Sequence, residues 1–278
     1  SLICSVTGGL LNMALDYLFI AVFHMGISGA AIATGMGYSV TAVVGLFVFC
    51  RKKSLLHFQK PVFRWKVLVN AAANGCSEMA TALVTGIITM MFNWTMLRYV
   101  GENGVAAVTI IMYVLMFASS LYTGYSYGVA PMVSYYYGEG NHEKLKKLVG
   151  TSFRVIAFIS IMTVAASFAL TRPLVSVFAR PDNPVYDLAV TGNRICTIAL
   201  CFIGYNIFAS GMFTALSNGV VSAVLAFSRS FVFMLAAMIV LPLLFGVNGI
   251  WLATPAAELM ALALSAFMLR KYRKRYEY

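Results

Sequence analysis

Charged side chains are scarce in this sequence. Only 10% of its 278 residues are Asp, Glu, Lys or Arg, whereas 61% are apolar, and the mean hydropathy is +0.85. So little polar surface cannot cover a water-soluble globule of this length. The composition therefore excludes an ordinary soluble domain and favours an integral membrane protein, which has the lipid bilayer as its main partner.

Acidic residues are fewer than basic ones, 9 against 20, which gives a formal net charge of +11. Such an excess can mark a surface that binds nucleic acid. Here, however, Lys and Arg cluster in short gaps between apolar runs instead of alternating with aromatic residues. This distribution is typical of membrane topology, so we expect no nucleic-acid partner.

Motifs for catalysis and cofactor binding are also missing. The five cysteines lack the spacing of a disulfide framework or a zinc site, and no histidine has a partner at metal-ligand spacing. No nucleophile triad, phosphate loop or nucleotide-binding motif is present. We therefore expect neither an enzyme nor an ATP-driven pump, and no bound cofactor. Because no charged leader precedes a cleavage site, no signal peptide is expected either.

Long uncharged runs dominate the sequence. A helix that crosses about 30 Å of hydrocarbon needs about 20 apolar residues. Gly, Pro, Asn and Asp turn signals separate the runs. We predict an all-α polytopic transmembrane bundle of about eight spans, at residues 3–23, 28–50, 67–97, 104–137, 149–171, 186–216, 220–245 and 249–269.

Positive charge is unevenly divided between alternate loops. Sixteen of the 20 Lys and Arg fall on one side, in residues 51–66, 144–154 and 270–275 and at Arg229, and four fall on the other. Because cytoplasmic loops retain positive charge, we predict that the 51–66 segment and the C-terminus are cytoplasmic. The expected location is the plasma membrane of a prokaryote.

A short pattern occurs twice in the same orientation. The spacing of Gly26, Gly29, Ala33 and Thr34 recurs at Gly246, Gly249, Ala253 and Thr254. If the first two spans correspond to the last two, the repeating unit has six spans. Residues 1–50 are then the last two helices of an N-lobe, 51–66 a cytoplasmic basic linker and 67–278 a six-helix C-lobe with a basic tail. We accordingly expect about four further spans before residue 1, and no transport by the 278 residues alone.

Three of the nine acidic residues, Asp16, Glu78 and Glu258, lie inside predicted spans. An ionised carboxylate in hydrocarbon costs several kcal/mol unless it faces water, is paired or takes up a proton. Each is therefore a candidate ion or proton site. Asn12 lies one turn before Asp16 on the same helix face. We expect Thr34, on the next span, to reach the same cavity.

The span that contains Glu78 has a polar stripe. Asn70, Asn74 and Glu78 are spaced four residues apart, which places them on one side of a helix. A polar stripe on an intramembrane helix normally lines water or substrate. We therefore predict that Asn74 and Glu78 face a wet cavity.

Further residues are weaker candidates for lining a cavity. Glu258 follows Thr254 by one turn and lies near Pro255, where a structural role at a kinked helix is equally plausible. Asn206 and Tyr113 stand among apolar residues on other spans. Many Met and aromatic side chains would suit a broad cavity for flat, cationic or amphipathic molecules.

Several segments resemble the multidrug and toxic compound extrusion (MATE) family. They are NMALDYLFI at 12–20, GISGAAIAT at 26–34, NGCSEMAT at 74–81, the stretch 124–138 with Ala130 and Pro131, and GIWLATPAAE at 249–258. Together they extend over nearly the whole chain, in the order of the family's fifth to twelfth helices. The resemblance implies two six-helix lobes and the exchange of organic compounds for protons or sodium.

The resemblance also implies which residues bind the coupling ion. Asn12, Asp16 and Thr34 match the family's N-lobe cation site, and Glu78 matches the C-lobe carboxylate on its seventh helix. Asn206 stands where some members have Asp. This departure leaves both proton and sodium open as the coupling ion, with no metal expected beyond sodium at the same acids.

The sequence thus predicts a monomeric secondary antiporter that extrudes small organic, cationic or amphipathic compounds. One alternative is a lipid-linked oligosaccharide flippase of related two-lobe fold, which usually has a more cationic cavity. We interpret the span interiors as containing acids but no Lys or Arg, which favours cationic substrates. A second alternative is a non-transporting membrane scaffold, which would explain the spans but not the three embedded acids.

Overall fold

The computed structural model describes the backbone of residues 2–50 and 64–278. Side chains are described for residues 6–40, 42–50, 64–65 and 83–278. Nearly all of the predicted 51–66 linker lies outside this part of the chain. The protein forms two compact units, unit 1 at Ser1–Asn70 and unit 2 at Ala71–Tyr278.

The regular structure of the described ranges is helical, without a strand, which confirms the all-α prediction. Unit 1 begins with α1 (Leu2–Asp16), which continues into a π-helical segment (Tyr17–Val22), and α2 (Gly26–Cys50) follows. The next helices are α3 (Trp65–Tyr99), α4 (Glu102–Gly138), α5 (His142–Phe178), α6 (Pro184–Thr197), α7 (Leu200–Ala215) and α8 (Gly219–Phe227). A second π-helical segment (Ser228–Phe233) joins α8 to α9 (Met234–Phe245), and α10 (Val247–Tyr276) ends the chain.

Several of these helices have the length and apolar character of membrane spans. Within the described residues five helical stretches qualify, and the α6–α7 pair would make a sixth; the five are Gly26–Cys50, Glu102–Gly138, His142–Phe178, Gly219–Phe245 and Val247–Tyr276. A polytopic helical membrane bundle is thereby confirmed. The count of eight spans stays a prediction, because the apolar stretch Val6–Val22 is shorter and many side chains of α3 lie outside the described residues.

The structure corrects the continuous span predicted at residues 186–216. Here α6 and α7 are separate helices that meet at an angle of 50°. At the junction the amides of Ile198 and Ala199 donate to carbonyls three residues earlier, which tightens the backbone. The Thr197 hydroxyl also donates to the Asn193 carbonyl, at 2.7 Å. Hydroxyl bonds of this kind often bend a helix.

The two copies of the repeated pattern share a backbone conformation. Gly26 and Gly246 have φ of +57° and +58°, a region that favours glycine, and each stands where the following helix begins. Three residues further on, a Cβ at Gly29 or Gly249 would collide with the helix that precedes the turn. Each unit therefore contains a tight helix–turn–helix that needs glycine at the same two positions.

In unit 2, α7 lies in the interior and contacts α4, α5, α8 and α10. Close approach to α4 depends on Gly204, because a Cβ there would stand 2.5 Å from a ring carbon of Tyr122. The Tyr122 hydroxyl donates to the Leu200 carbonyl at 3.0 Å and lies 2.7 Å from the Thr163 hydroxyl of α5. These contacts hold the polar face of α7 inside the bundle.

The last residues fold back against the end of α10. The Tyr278 hydroxyl donates to the Leu269 carbonyl at 2.9 Å, and burial raises the pKa of Tyr278 to about 12. The Tyr276 ring meets Tyr137 of α4 edge-on, with 5.5 Å between centroids. The C-terminal end of α10 is thus attached to the end of α4.

Candidate functional site

In unit 1, α1 presents Asn12 and Asp16 on one face, four residues apart. Both side chains are half-buried. The Nδ2 of Asn12 and the Oδ1 of Asp16 are shielded from solvent and have no hydrogen-bond partner within the described part of the chain. A shielded carboxylate oxygen needs a hydrogen-bond donor or a cation beside it. The position is therefore a candidate for binding a proton or a small cation.

Asp16 is also the last residue of α1, where the chain changes to the π-helical segment Tyr17–Val22. Such π-helical turns are rare and are frequent at functional sites. On the facing helix, Gly37 permits close approach, because a Cβ there would stand 2.9 Å from the Cβ of Asn12. The backbone of α2 therefore shields this polar face of α1.

Thr34 was expected to share a cavity with Asn12 and Asp16, but the structure places its side chain differently. Its side chain is exposed in this chain, and its hydroxyl donates to the Ala30 carbonyl of its own helix at 2.9 Å. The structure thus brings Asn12 and Asp16 together on α1 but records no bond from Thr34 to either. Thr34 as an ion ligand stays a prediction.

Asn74 and Glu78 lie on the backbone of α3, but their side chains fall outside the described residues. The spacing of four residues along a continuous helix still places them on one side of α3. Their role in binding an ion or lining a cavity stays a prediction.

In unit 2, Glu258 and Asn206 meet in the interior, where they are 5% and 2% exposed. The Nδ2 of Asn206 donates to the Oε2 of Glu258 at 2.8 Å and to the Glu258 carbonyl at 2.9 Å. The Ser265 hydroxyl donates to the Oδ1 of Asn206 at 3.0 Å. Two residues that the sequence suggested separately for a cavity are therefore parts of one hydrogen-bond network between α7 and α10.

Arg229 completes this network, and the sequence interpretation missed it. Its Nε donates to the Oε1 of Glu258 at 2.8 Å, an ion pair with side chains 24% and 7% exposed. The charge distribution along the sequence assigns Arg229 to the cytoplasmic loops, yet it lies within the membrane-length stretch Gly219–Phe245, in its π-helical segment. The expectation that no Lys or Arg enters the span interiors is therefore wrong. The sequence did contain a sign of this pairing: Arg229 stands alone in an apolar run, where a charge needs a partner.

Three hydroxyl groups extend the polar interior along α7. Ser210 lies one turn beyond Asn206, and its Oγ is 3.0 Å from the Oγ of Ser222 on α8. The Ser222 hydroxyl is in turn 2.7 Å from that of Thr214, an exposed residue near the end of α7. These groups form a hydroxyl chain (Thr214, Ser222 and Ser210) from the helix end toward the Glu258 network.

Tyr113 lines a separate cavity of unit 2, between α4, α5 and the start of α7. The cavity measures about 490 Å³, and its walls are almost wholly apolar. Phe117 and Leu170 contribute to them, and Tyr113 stacks on Phe178 with 6.2 Å between ring centroids. The side chain of Tyr113 is 53% exposed. This cavity suits an apolar group, and its walls contain no carboxylate.

Among the described residues, no group of three or more His, Cys, Asp or Glu side chains converges as a metal site would require. Each of the two carboxylate sites contains a single acid. Asp16 has the Asn12 amide one turn away, whereas Glu258 is bonded to Asn206 and Arg229. A single carboxylate with neutral neighbours, as at Asp16, suits a proton or a monovalent cation better than a transition metal.

Comparison with known proteins gives matches over most of the chain. The model of the family described as MatE matches residues 79–239, which is more than half of the chain. Multidrug export protein MepA of Staphylococcus saprophyticus is 22% identical over 281 residues, covering 97% of this chain and 60% of that protein. MepA of Staphylococcus aureus strain NCTC 8325 is 22% identical, covering 94% of this chain and 58% of its own length.

Solved structures agree in fold. An inward-facing multidrug resistance MATE transporter superposes with a TM-score of 0.85 at 21% identity, over 99% of this chain and 64% of that one. An outward-facing conformation gives 0.83 at 20% identity, over 99% and 62%. A transporter of the MOP superfamily from Pyrococcus furiosus, described as having a binding pocket of reverse polarity, gives 0.82 at 19%, over 99% and 63%. The chain spans about three fifths of the length of these proteins.

Proposed function

Because this chain belongs to the MatE family of membrane transporters, we propose that it acts in secondary antiport, with export of organic compounds driven by inward flow of protons or sodium. The relatives it matches are named multidrug export proteins, which supports small organic molecules as the substrate class. Those relatives are longer than this chain, so the complete transport cycle belongs to the full-length protein.

One observation carries the proposal: the Oδ1 of Asp16 is buried without a hydrogen-bond partner among the described residues. A shielded carboxylate oxygen in this state is available to bind a coupling ion, whereas a merely structural carboxylate would be paired. We infer that ion binding at Asp16 and Asn12 favours one arrangement of two lobes and that substrate binding favours the other. Alternating access then follows from the difference in affinity between the two arrangements.

Glu78 is the second acid that we assign to coupling, from its position on the polar stripe of α3 and from its match to the family's C-lobe carboxylate. Thr34 and Asn74 are assigned with it as supporting polar groups. These assignments rest on sequence position, and they make Glu78 the first variant to examine after Asp16.

We propose organic cations and amphipathic molecules as the first substrates to examine. The argument for cations from span interiors without Lys or Arg no longer holds. Arg229 lies within a span of unit 2. Its charge is paired with Glu258, so it offers no free positive site to an anionic headgroup. The cavity beside Tyr113 is apolar and supports the amphipathic part of the proposal.

For the membrane arrangement, we propose that the 51–66 segment and the C-terminus face the cytoplasm of a prokaryotic cell and that the protein works as a monomer. The basic cluster Arg273, Lys274 and Arg275 in the last turn of α10 supports this orientation.

Uptake into everted vesicles tests the antiport, because their lumen corresponds to the cell exterior. A fluorescent organic cation is added outside vesicles that contain the full-length protein, and gradients of protons or of sodium, each high in the lumen, are imposed separately. We expect flux under one gradient and a loss of about tenfold or more in Asp16→Asn, because a neutral amide cannot exchange a charge. Asp182→Asn is the matched control, since Asp182 is an exposed acid between α5 and α6.

Either of two results would count against the proposal. Unchanged gradient-driven flux in Asp16→Asn would remove Asp16 from coupling, and a parallel measurement of Glu78→Gln would then show whether the α3 acid carries it alone. Absence of flux under both gradients, with the protein folded and inserted, would favour the flippase or scaffold alternatives.

A further inference from the structure

We propose that Glu258 is a proton-binding site of unit 2 at which a proton and Arg229 compete for the same carboxylate. The proposal deepens the proposed antiport and rests on it for its biological purpose. It concerns an ion pair between the π-helical segment Ser228–Phe233 and α10, apart from the acids Asp16 and Glu78 already assigned to coupling.

Both carboxylate oxygens of Glu258 are occupied in the structure. Oε1 accepts from Arg229 and Oε2 accepts from Asn206, each at 2.8 Å. A proton on Oε1 would abolish the charge that holds Arg229 and would leave two donors facing each other. Asn206 can remain bonded in either state, because Oε2 is still able to accept. The site therefore holds either the proton or Arg229.

Arg229 is the partner able to move. Its side chain is 24% exposed, whereas that of Glu258 is 7% exposed and is fixed by Asn206. Arg229 also lies in a π-helical segment, whose extra residue per turn is a local irregularity of the kind found at functional sites. A long, flexible side chain at such a position can turn toward solvent when its counter-charge is neutralised. The pair thus has two discrete arrangements.

Few other charges surround Glu258 on the helices that pack against α10. The helices α8 and α9 contain no titratable residue. On α6, Asp187 and Arg194 are exposed, and Tyr186 packs against the apolar core. The remaining titratable group of α6 is the Cys196 thiol, which donates to a backbone carbonyl of α10. None of these groups supplies a buried charge beside the Glu258 carboxylate.

The titratable residues of α7 are Tyr205 and Cys201. Tyr205 stacks on the Phe153 ring of α5, with 6.2 Å between centroids. Cys201 is half-buried near the start of the helix, five residues before Asn206. Among the described residues of these helices, Arg229 is the charged group in contact with the Glu258 carboxylate.

The hydroxyl chain approaches the Glu258 network from the end of α7. Thr214 is exposed near the end of α7, its hydroxyl is 2.7 Å from that of Ser222, and Ser222 is 3.0 Å from Ser210. Ser210 lies one helical turn from Asn206, the residue that contacts the Glu258 carboxylate. Hydroxyl groups both donate and accept, so these three can pass a proton as far as Ser210. The chain begins at the helix end next to the α7–α8 turn.

Infrared difference spectroscopy on the protein in lipid nanodiscs tests the site without any transport assay. Acidification should produce carboxylic-acid C=O bands from buried acids, and the band that belongs to Glu258 should be lost in Glu258→Gln, while any band from Asp16 or Glu78 remains. In Arg229→Gln the carboxyl has lost its competitor, so we expect the band to be present already at pH 7. Glu143→Gln, which removes an exposed acid in the first turn of α5, should leave the buried-acid band unchanged.

The double variant Arg229→Gln with Glu258→Gln shows whether a lost band reflects the missing acid or a misfolded protein. Each single variant leaves a buried group without its partner and should lower the unfolding temperature, whereas the double variant leaves no unpaired charge and should recover most of the loss. It should also lack the band. A Glu258→Gln spectrum that loses no buried-acid band, or an Arg229→Gln spectrum identical to that of the unaltered protein, would overturn the proposal.

Failure of this proposal and failure of the proposed antiport are distinguishable. If Glu258 shows no competing proton while gradient-driven efflux still depends on Asp16, coupling resides in the other acids and the Arg229 pair is structural. If the band behaves as expected but no gradient drives efflux, Glu258 binds a proton in a protein that is not an antiporter.

Discussion

Pro255 has no amide hydrogen, so the carbonyl of Trp251 one turn earlier has no donor within α10. The Sγ of Cys196 on α6 lies 3.4 Å from that carbonyl and donates to it. The spacing of the cysteines in the sequence argued against disulfide and zinc sites and gave Cys196 no partner. The structure gives this one a hydrogen bond that compensates for a proline inside a buried helix.

We expect Cys196→Ala to lower the free energy of unfolding by about 1–3 kcal/mol, because it leaves a buried carbonyl without a donor. Cys196→Ser should lose less, since its hydroxyl can still donate. Thermal unfolding in detergent measures both. Cys50→Ala is the matched control, because Cys50 is exposed and its change should stay within about 0.5 kcal/mol. Equal losses in the Ser and Ala variants at position 196 would contradict a hydrogen-bonding role.

The acids inside the spans were identifiable from sequence because charge in an apolar run is rare. Their partners were not. Asn206 and Glu258 are 52 residues apart in the chain, and only the packing of α7 on α10 brings them within 2.8 Å. The distribution of Lys and Arg assigned Arg229 to the cytoplasmic loops, and nothing near it in the sequence indicated Glu258 as its partner. Pairing across helices is a property of tertiary structure, so spacing along one helix cannot predict it.

At the scale of the helices, turn residues predicted the breaks well. Asn141, Asn183 and Asn218 each accept a hydrogen bond from the first turn of the helix that follows, as their positions in predicted turns suggested. The bend between α6 and α7 was not predictable in this way. It depends on hydroxyl and amide bonds inside an apolar run that contains neither Gly nor Pro at the junction.

Close packing of α7 on α4 gives a prediction at the same scale. Gly204→Ala should destabilise the protein by about 1–3 kcal/mol, because the new Cβ would overlap the Tyr122 ring, which its hydroxyl bonds hold in place. Gly124→Ala, also within a helix, has open space around it and should be nearly neutral. Unfolding in detergent compares the two. A Gly204→Ala protein as stable as Gly124→Ala would mean that the α4–α7 contact is looser than the structure indicates.

For the whole molecule, the distribution of Lys and Arg predicts orientation. In a protein without its exposed Cys50, we expect a cysteine at Glu277 to react with a membrane-impermeant maleimide only after the cells are permeabilised. A cysteine at Asp182 should react in intact cells, because the turn between α5 and α6 lies at the other end of the spans. Labelling of Glu277→Cys from outside would reverse the proposed topology.

The single-residue turn at Gly246 has a consequence for how the protein enters the membrane. An Arg near the centre of a lone helix opposes insertion by about 2.5–3.5 kcal/mol. Because Gly246 joins α9 directly to α10, the stretch with Arg229 and the helix with Glu258 form a hairpin whose opposite charges neutralise each other. We therefore expect the translocon to release the two as one hairpin, so that biogenesis of this region requires α10 to be synthesised before α8 and α9 are committed to lipid.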